Sequence, residues 1–252
     1  SRLTGTNDLN TNSTGAEQPN VSARFDFQNG FYNSYGSTTD WMSWHWKRAK
    51  GAFDVVAYQG TGIPGFTFNH NLGVVPEMIW VKNRGASEYW AVYHKDLNGG
   101  TNPSHYYLKL NDTNAETDYN EIWNDTEPTA TQVTVGQQGV VNSSSFSHIA
   151  YLFASLDGVS KVGSVTHSGT TNVDCGFSSG ARFVLLKRTD ATGDWYFWDT
   201  TRGIVSGNDP YLTLNGTNQP EITNTDYIDP LSSGFTISDD FTDGTYIFYA
   251  IA

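Results

Sequence analysis

The stretch Glu77-Met78-Ile79-Trp80-Val81-Lys82, followed by Glu88-Tyr89-Trp90-Ala91-Val92-Tyr93, returns later in the chain. The second occurrence is Arg182-Phe183-Val184-Leu185-Leu186-Lys187, followed by Gly193-Asp194-Trp195-Tyr196-Phe197-Trp198. Lys82 and Lys187 lie 105 residues apart, and so do Trp90 and Trp195. Working outward, YLKLN (107–111) matches YLTLN (211–215), QVTVG (132–136) matches GFTIS (234–238), and HIAYLFA (148–154) matches YIFYAIA (246–252). Chance likeness between strands explains one such match, not five in order. The signal is an internal duplication, the first thing to seek in a sequence.

The matched runs are rich in Trp, Tyr, Phe, Val, Ile and Thr, which suit a pleated, half-buried surface. Gly, Asn, Asp and Pro separate them, and no window shows apolar recurrence at helical spacing. Six or seven short strands over about 100 residues is the size of a β-sandwich. The expected fold is therefore all-β, with two tandem, internally duplicated β-sandwich units at 51–156 and 157–252. WMSWHWKRAKG (41–51) lines up with HIAYLFASLDG (148–158). Residues 1–50 thus read as a linker plus the terminal strand of an upstream unit, with the polar first 23 or so residues as the flexible part. The missing initiator Met reads as a fragment or processed product, and the apolar GTYIFYAIA as a final strand.

Aromatics make up 14% of the 252 residues and charged residues only 16%, which separates the chain from disordered and coiled-coil classes. A formal net charge of −12 argues against a nucleic-acid partner. No apolar run approaches the roughly 18 residues of a membrane span, so membrane insertion is not expected. A single cysteine, Cys175, excludes an intrachain disulfide and reads as a small buried residue.

Catalytic signatures are missing: no Gly-x-Ser-x-Gly, no His-Glu-x-x-His, no phosphate-cradling glycine loop. Glycan cleavage needs two carboxylates roughly 5 to 10 Å apart. Glu116, Asp118 and Glu121 cluster, but in a loop-like stretch. The expectation is a chain that is not an enzyme and has no catalytic residues. Asp239, Asp240 and Asp243 form a short acidic loop whose oxygens would suit calcium, although turn chemistry alone favours Asp there. No other cofactor is expected. The matched rings Trp80, Trp90, Tyr93, Trp195 and Trp198 read as core. Candidate ligand contacts come from segments the two units do not share: His105 in the longer loop, and Tyr119, Asn120 and Trp123. A Trp in the polar NEIWNDTEP reads either as a ligand contact or as a ring folded back over the core edge.

The run from WMSWHWKRAKGAFDVVAYQGTG through HNLGVVPEMIWVKNR, WAVYHKDL and HIAYLFAS resembles a repeat domain near the C-terminus of large tail-associated virion proteins of marine tailed bacteriophages. In that family it often follows a concanavalin-like lectin domain. His70-x-Leu72-Gly73-x-x-Pro76, then an apolar strand and Lys82, carries most of the likeness. The second unit keeps Lys187 but has Ser178-Ser179-Gly180 in place of the His-x-Leu-Gly element. The resemblance implies a virion location, a role in host attachment through a surface glycan or in particle structure, other virion proteins as partners, and, by analogy with phage fibres, a homotrimer. It carries over no catalytic residue. Two rival readings are a capsid decoration protein without a ligand and a polysaccharide depolymerase.

Overall fold

The computed structural model describes residues 7–19, 23–24, 32–33 and 43–252. The fold is all-β. From residue 53 on it lays down sixteen strands. The first eight are β1 Phe53–Gln59, β2 Phe66–Asn69, β3 Met78–Asn83, β4 Ala91–His94, β5 Tyr106–Lys109, β6 Thr117–Asp118, β7 Gln132–Val135 and β8 Ser147–Phe153. The other eight are β9 Ser160–His167, β10 Thr171–Asp174, β11 Phe183–Arg188, β12 Trp195–Asp199, β13 Leu212–Thr213, β14 Ile228–Leu231, β15 Gly234–Ile237 and β16 Gly244–Ile251. A one-turn helix, α1, spans Gly139–Asn142.

All pairings between these strands are antiparallel. The first half forms a large sheet in the order β6-β5-β4-β3-β8-β1 and a small sheet β7-β2. The second half forms a large sheet β9-β16-β11-β12-β13 and a small sheet β10-β15-β14. With β1 set against β9, β3 against β11, β4 against β12, β5 against β13 and β8 against β16, the two large sheets have one strand order. β2 and β7 correspond in the same way to β10 and β15.

Three cores fill four layers. One lies between the small and large sheets of the first half, and a matching one lies in the second half. The third joins the two large sheets face to face. Alternation along a strand divides the side chains between cores. Ile79 and Val81 face the outer core of the first half, while Met78 faces the middle. Val184 and Leu186 face the outer core of the second half, while Phe183 and Leu185 face the middle. Phe153 and Tyr249 meet across the halves with ring centroids 5.1 Å apart. This explains why β4 and β11 read as almost unbroken apolar runs: both faces are covered, each large side chain contributing about 1.5–3 kcal/mol. Trp90, Tyr93, Trp195 and Trp198 are buried as expected, Trp80 is partly so, and Cys175 is buried.

Lys82 and Lys187 are wholly buried. The same alternation points both toward the middle layer, at its rim. Lys82 Nζ donates to the carbonyls of Thr14, Asn83, Ala86 and Glu88 at 2.9–3.4 Å. Lys187 Nζ donates to Thr113 O and Gly193 O at 3.0 and 2.7 Å. Backbone oxygens thus stand in for the water each ammonium lost. Burial still draws both lysines down to about 8.

Two expectations for the first 50 residues need correction. Residues 7–19 are not a loose linker. Asn7–Asp8 pairs with Gln18–Pro19, Trp90 Nε1 donates to Asn10 O at 2.9 Å, and Arg84 holds Glu17 at 2.8 Å. The composition looked flexible, but the contacts use backbone carbonyls, which any residue supplies. The expected closing strand over 41–47 is not a strand at Ser43–Lys47; Trp41 and Met42 lie outside the described residues. The tryptophans pack by another route, Trp44 half-buried and Trp46 still 38% exposed. Trp44 stands edge-on to Phe197 at 5.1 Å and donates to Asp199 Oδ2 at 3.0 Å, and Trp46 stands edge-on to Phe183.

The buried lysines set a pH test. Each releases its proton at lower pH in the folded than in the unfolded chain, so between about pH 8 and 10.4 the unfolded state binds more protons. The lysines' contribution to stability therefore rises with pH through that window, most clearly below about pH 9.5, before unfolded tyrosines begin to ionise. Urea unfolding at pH 7 and pH 9.5 measures it. Lys187→Met should shrink the rise and lower stability at pH 7 by about 1–3 kcal/mol, because the Thr113 and Gly193 carbonyls lose their donor.

Candidate functional site

The segment between β6 and β7 turns sharply at Asn120–Asp125 over the open end of the first sandwich. Two apolar side chains fix it. Ile122 is fully buried, and Trp123, 2% exposed, stands edge-on to Tyr93 with centroids 5.9 Å apart. Backbone bonds complete the anchor: Gly136 N donates to Ile122 O at 2.8 Å, and Gln138 N to Glu121 O at 3.3 Å. Gly136 must be glycine, since a Cβ there would fall 2.0 Å from Glu121 O.

With its middle pinned, the turn fans its polar side chains outward. Asn120, Glu121, Asn124 and Asp125 line a cleft of about 290 Å³ together with Pro64, Gly136 and Gln137. Asn124 and Asp125 are both left-handed, with φ of 54° and 47°. Asn and Asp tolerate this region better than other non-glycine residues, but two in succession store strain of about 1–2 kcal/mol each. No hydrogen bond from another described residue reaches the Asn120, Asn124 or Asp125 side chains. These two amides and one carboxylate are open to a ligand.

Glu121 is engaged differently. Its carboxylate accepts from Tyr119 Oη at 2.8 Å, from Gln137 Nε2 at 2.8 Å and from Gln138 Nε2. Those donors, Tyr119 first, hold it below the usual carboxylate range. Tyr119 in turn accepts from Gln138 Nε2 at 2.9 Å and is 37% exposed. The far wall is set by Asn142, which sequence reading missed. Its Oδ1 accepts from Thr61 N at 2.7 Å, and its Nδ2 donates to Ile63 O and Gly136 O at 2.8 and 2.7 Å. One buried amide thus ties the Pro64 loop to the Gly136 loop. Its place in an Asn-Ser-Ser triplet gave no sign of this.

Of the four expected contacts, Asn120 lines the cleft and Tyr119 stands at its edge. His105 joins them through its backbone alone, its carbonyl accepting from Tyr119 N at 2.8 Å. Trp123 is a correction: its ring points into the core, where it anchors the turn. Asp239, Asp240 and Asp243 do not converge. Asp243 accepts from Gly169 N at 3.1 Å, while Asp240 N donates to Ser238 Oγ at 3.1 Å. Among the described residues no group of three or more His, Cys, Asp or Glu is placed to hold a metal ion. Glu116 points elsewhere, accepting from Asn98 N at 3.0 Å.

A second cleft, of about 320 Å³, lies between Ser43–Trp46 and the β11–β12 edge. Its carboxylate, Asp199, is already taken by the Trp44 indole, the Arg202 guanidinium and the amides of Thr201 and Arg202. That leaves it less polar capacity for a ligand than the first cleft has.

Over residues 3–252 the chain matches the family described as Domain of unknown function (DUF7483), and it belongs to that family. No curated protein and no solved structure matches it.

The anchor and the lining should separate on mutation. Trp123→Ala is expected to cost about 3–5 kcal/mol, and Gly136→Ala about 1–3 kcal/mol by overpacking. Asn120→Ala and Asp125→Asn, the latter keeping a side chain suited to the left-handed backbone, should each stay within about 0.5 kcal/mol of the parent. Chemical denaturation of the four variants checks the contrast.

Proposed function

We propose that this chain is a non-enzymatic module of a tailed-bacteriophage particle, placed on a tail fibre or appendage, that attaches the particle to a host surface glycan. The observation that carries the reading is the first cleft. It presents two amides and a carboxylate, without a hydrogen-bond partner among the described residues, on a strained turn bolted to a rigid core. Binding residues on loops held by a rigid scaffold are the usual arrangement for recognition. Sugar hydroxyls both donate and accept, which suits Asn120, Asn124 and Asp125, and the half-exposed Tyr119 ring offers a face for stacking. The resemblance to phage tail-associated repeats supplies the particle, and internal duplication of one sandwich supplies the scaffold. Other virion proteins and further copies of the chain are its expected neighbours.

The same cleft speaks against hydrolysis. A glycosidase acid must keep its proton near neutral pH, so its pKa is raised. Three donors hold Glu121 ionised instead.

The test is binding of the purified chain to host cells and to isolated host surface polysaccharide. Asn120→Ala combined with Asp125→Asn should weaken binding at least tenfold with the melting temperature unchanged, and no reducing ends should be released from the polysaccharide. Undiminished binding by the double variant would remove the cleft from the reading. An intact chain that binds no glycan would favour the capsid-decoration alternative.

A further inference from the structure

The polar segment 7–19 is one of three equivalent hairpins. Asn7 pairs with Pro19 and Asp8 with Gln18. In β5–β6, each 99 residues further on, Tyr106 pairs with Asp118 and Tyr107 with Thr117. Another 104 residues on from Tyr107 and Thr117, Tyr211 bridges to Glu221. Each hairpin carries Asn-x-Thr near its tip: Asn12-Ser13-Thr14, Asn111-Asp112-Thr113 and Asn215-Gly216-Thr217.

The first two hairpins do the same work on successive sheets. On the first large sheet, Trp90 Nε1 donates to Asn10 O at 2.9 Å, Lys82 Nζ to Thr14 O at 3.1 Å, and Glu17 N to Arg84 O at 2.8 Å. On the second, Trp195 Nε1 donates to Lys109 O at 2.9 Å, Lys187 Nζ to Thr113 O at 3.0 Å, and Glu116 N to Thr189 O at 3.1 Å. All three sheet residues move by 105 positions and all three hairpin residues by 99. Each hairpin therefore caps the sheet that follows it, supplying carbonyls to a buried ammonium and an indole.

The third hairpin has the same carbonyls at Thr213 and Thr217. Among the described residues no indole or ammonium reaches them. The first hairpin reaches it from one flank, where Thr11 Oγ1 donates to Leu214 O at 2.8 Å and Asn12 Nδ2 to Gly216 O at 3.3 Å. Ile222, beside its last paired residue, is 62% exposed. Residues 7–19 and the segment at Ala49 follow the later part of the unit. Besides the hairpin, the bridge Ala49–Phe53 recurs as Leu156–Ser160. Among the described residues no sheet stands to hairpin 7–19 as the strands between residues 53 and 94 stand to hairpin 106–118.

We propose that the hairpin Tyr211–Glu221 is a docking arm for a third sheet of the same repeat, one that carries a tryptophan and a lysine at the places of Trp90 and Lys82. The occupant is an antiparallel sheet whose buried ammonium and indole N–H need the Thr217 and Thr213 carbonyls. It stands to hairpin 7–19 as 51–105 stands to hairpin 106–118, and is held by the third hairpin as the first two sheets are held by theirs. The inference stands apart from the glycan reading.

Hydrogen–deuterium exchange tests it. In the unmodified chain, hairpin 211–221 should exchange at least tenfold faster than hairpins 7–19 and 106–118. In a chain with residues 51–105 copied in front of Asn7, replacing 1–6, its exchange should slow at least tenfold. Lys82→Met with Trp90→Phe, made only in the copied strands, should undo most of that protection. Equal protection of the three hairpins in the unmodified chain overturns the proposal. So does a graft whose copied strands stay unprotected, or one that folds and leaves the third hairpin unchanged. Concentration-dependent self-association that protects 211–221 in the unmodified chain would assign the arm to a second copy and overturn it as well.

Discussion

The two large sheets press their inner faces together, and nearly every other feature follows from that contact. A sheet covered on one side can alternate apolar and polar side chains; these are covered on both. Their strands therefore carry rings and branched chains at successive positions, and no polar chemistry can be placed within them without a dedicated partner. Lys82 and Lys187 are two of the buried polar groups there, and each has its partner in a rim of backbone carbonyls. Whatever the chain recognises must be met by loops at the open ends.

The buried ammonium groups also explain how the halves are tied. A charge taken from water gains little if only one acceptor replaces the lost shell. Each lysine here gathers oxygens from its own loop and from a hairpin that arrives from elsewhere in the chain. The lysine fixes the hairpin, and the hairpin covers the edge of the middle core. Trp90 and Trp195 add an indole N–H bond to the same hairpins, so an ammonium and an indole register each crossing.

The strands were legible because Lys82 and Lys187, and Trp90 and Trp195, keep one spacing inside runs that suit a pleated sheet. The all-β class followed from the same residues. The hairpin at 7–19 was not legible, because Asn, Thr, Ser and Gly look like linker composition and its bonds come from the main chain. Trp44 and Trp46 misled for the opposite reason: their aromatic density resembles a strand, yet the rings stand edge-on to Phe197 and Phe183 without strand pairing. In the cleft, Asn120 and Tyr119 were found because they fall where the two halves differ. Trp123 lay in the same stretch, but one ring among polar neighbours does not say which way it turns. Asn142 gave no signal, since its role rests on loops some 80 residues earlier in the chain and on Gly136.

The shared middle core has a consequence for synthesis. By the time Phe153 has left the ribosome, the first half holds all its own strands, but its inner face has no cover until β16 is complete at Ile251. At ordinary translation speeds that interval lasts about 5–20 s. During it an aromatic surface built on Phe53, Trp90 and Phe153 stands open to other nascent chains. The excess of acidic over basic residues keeps such chains apart by mutual repulsion.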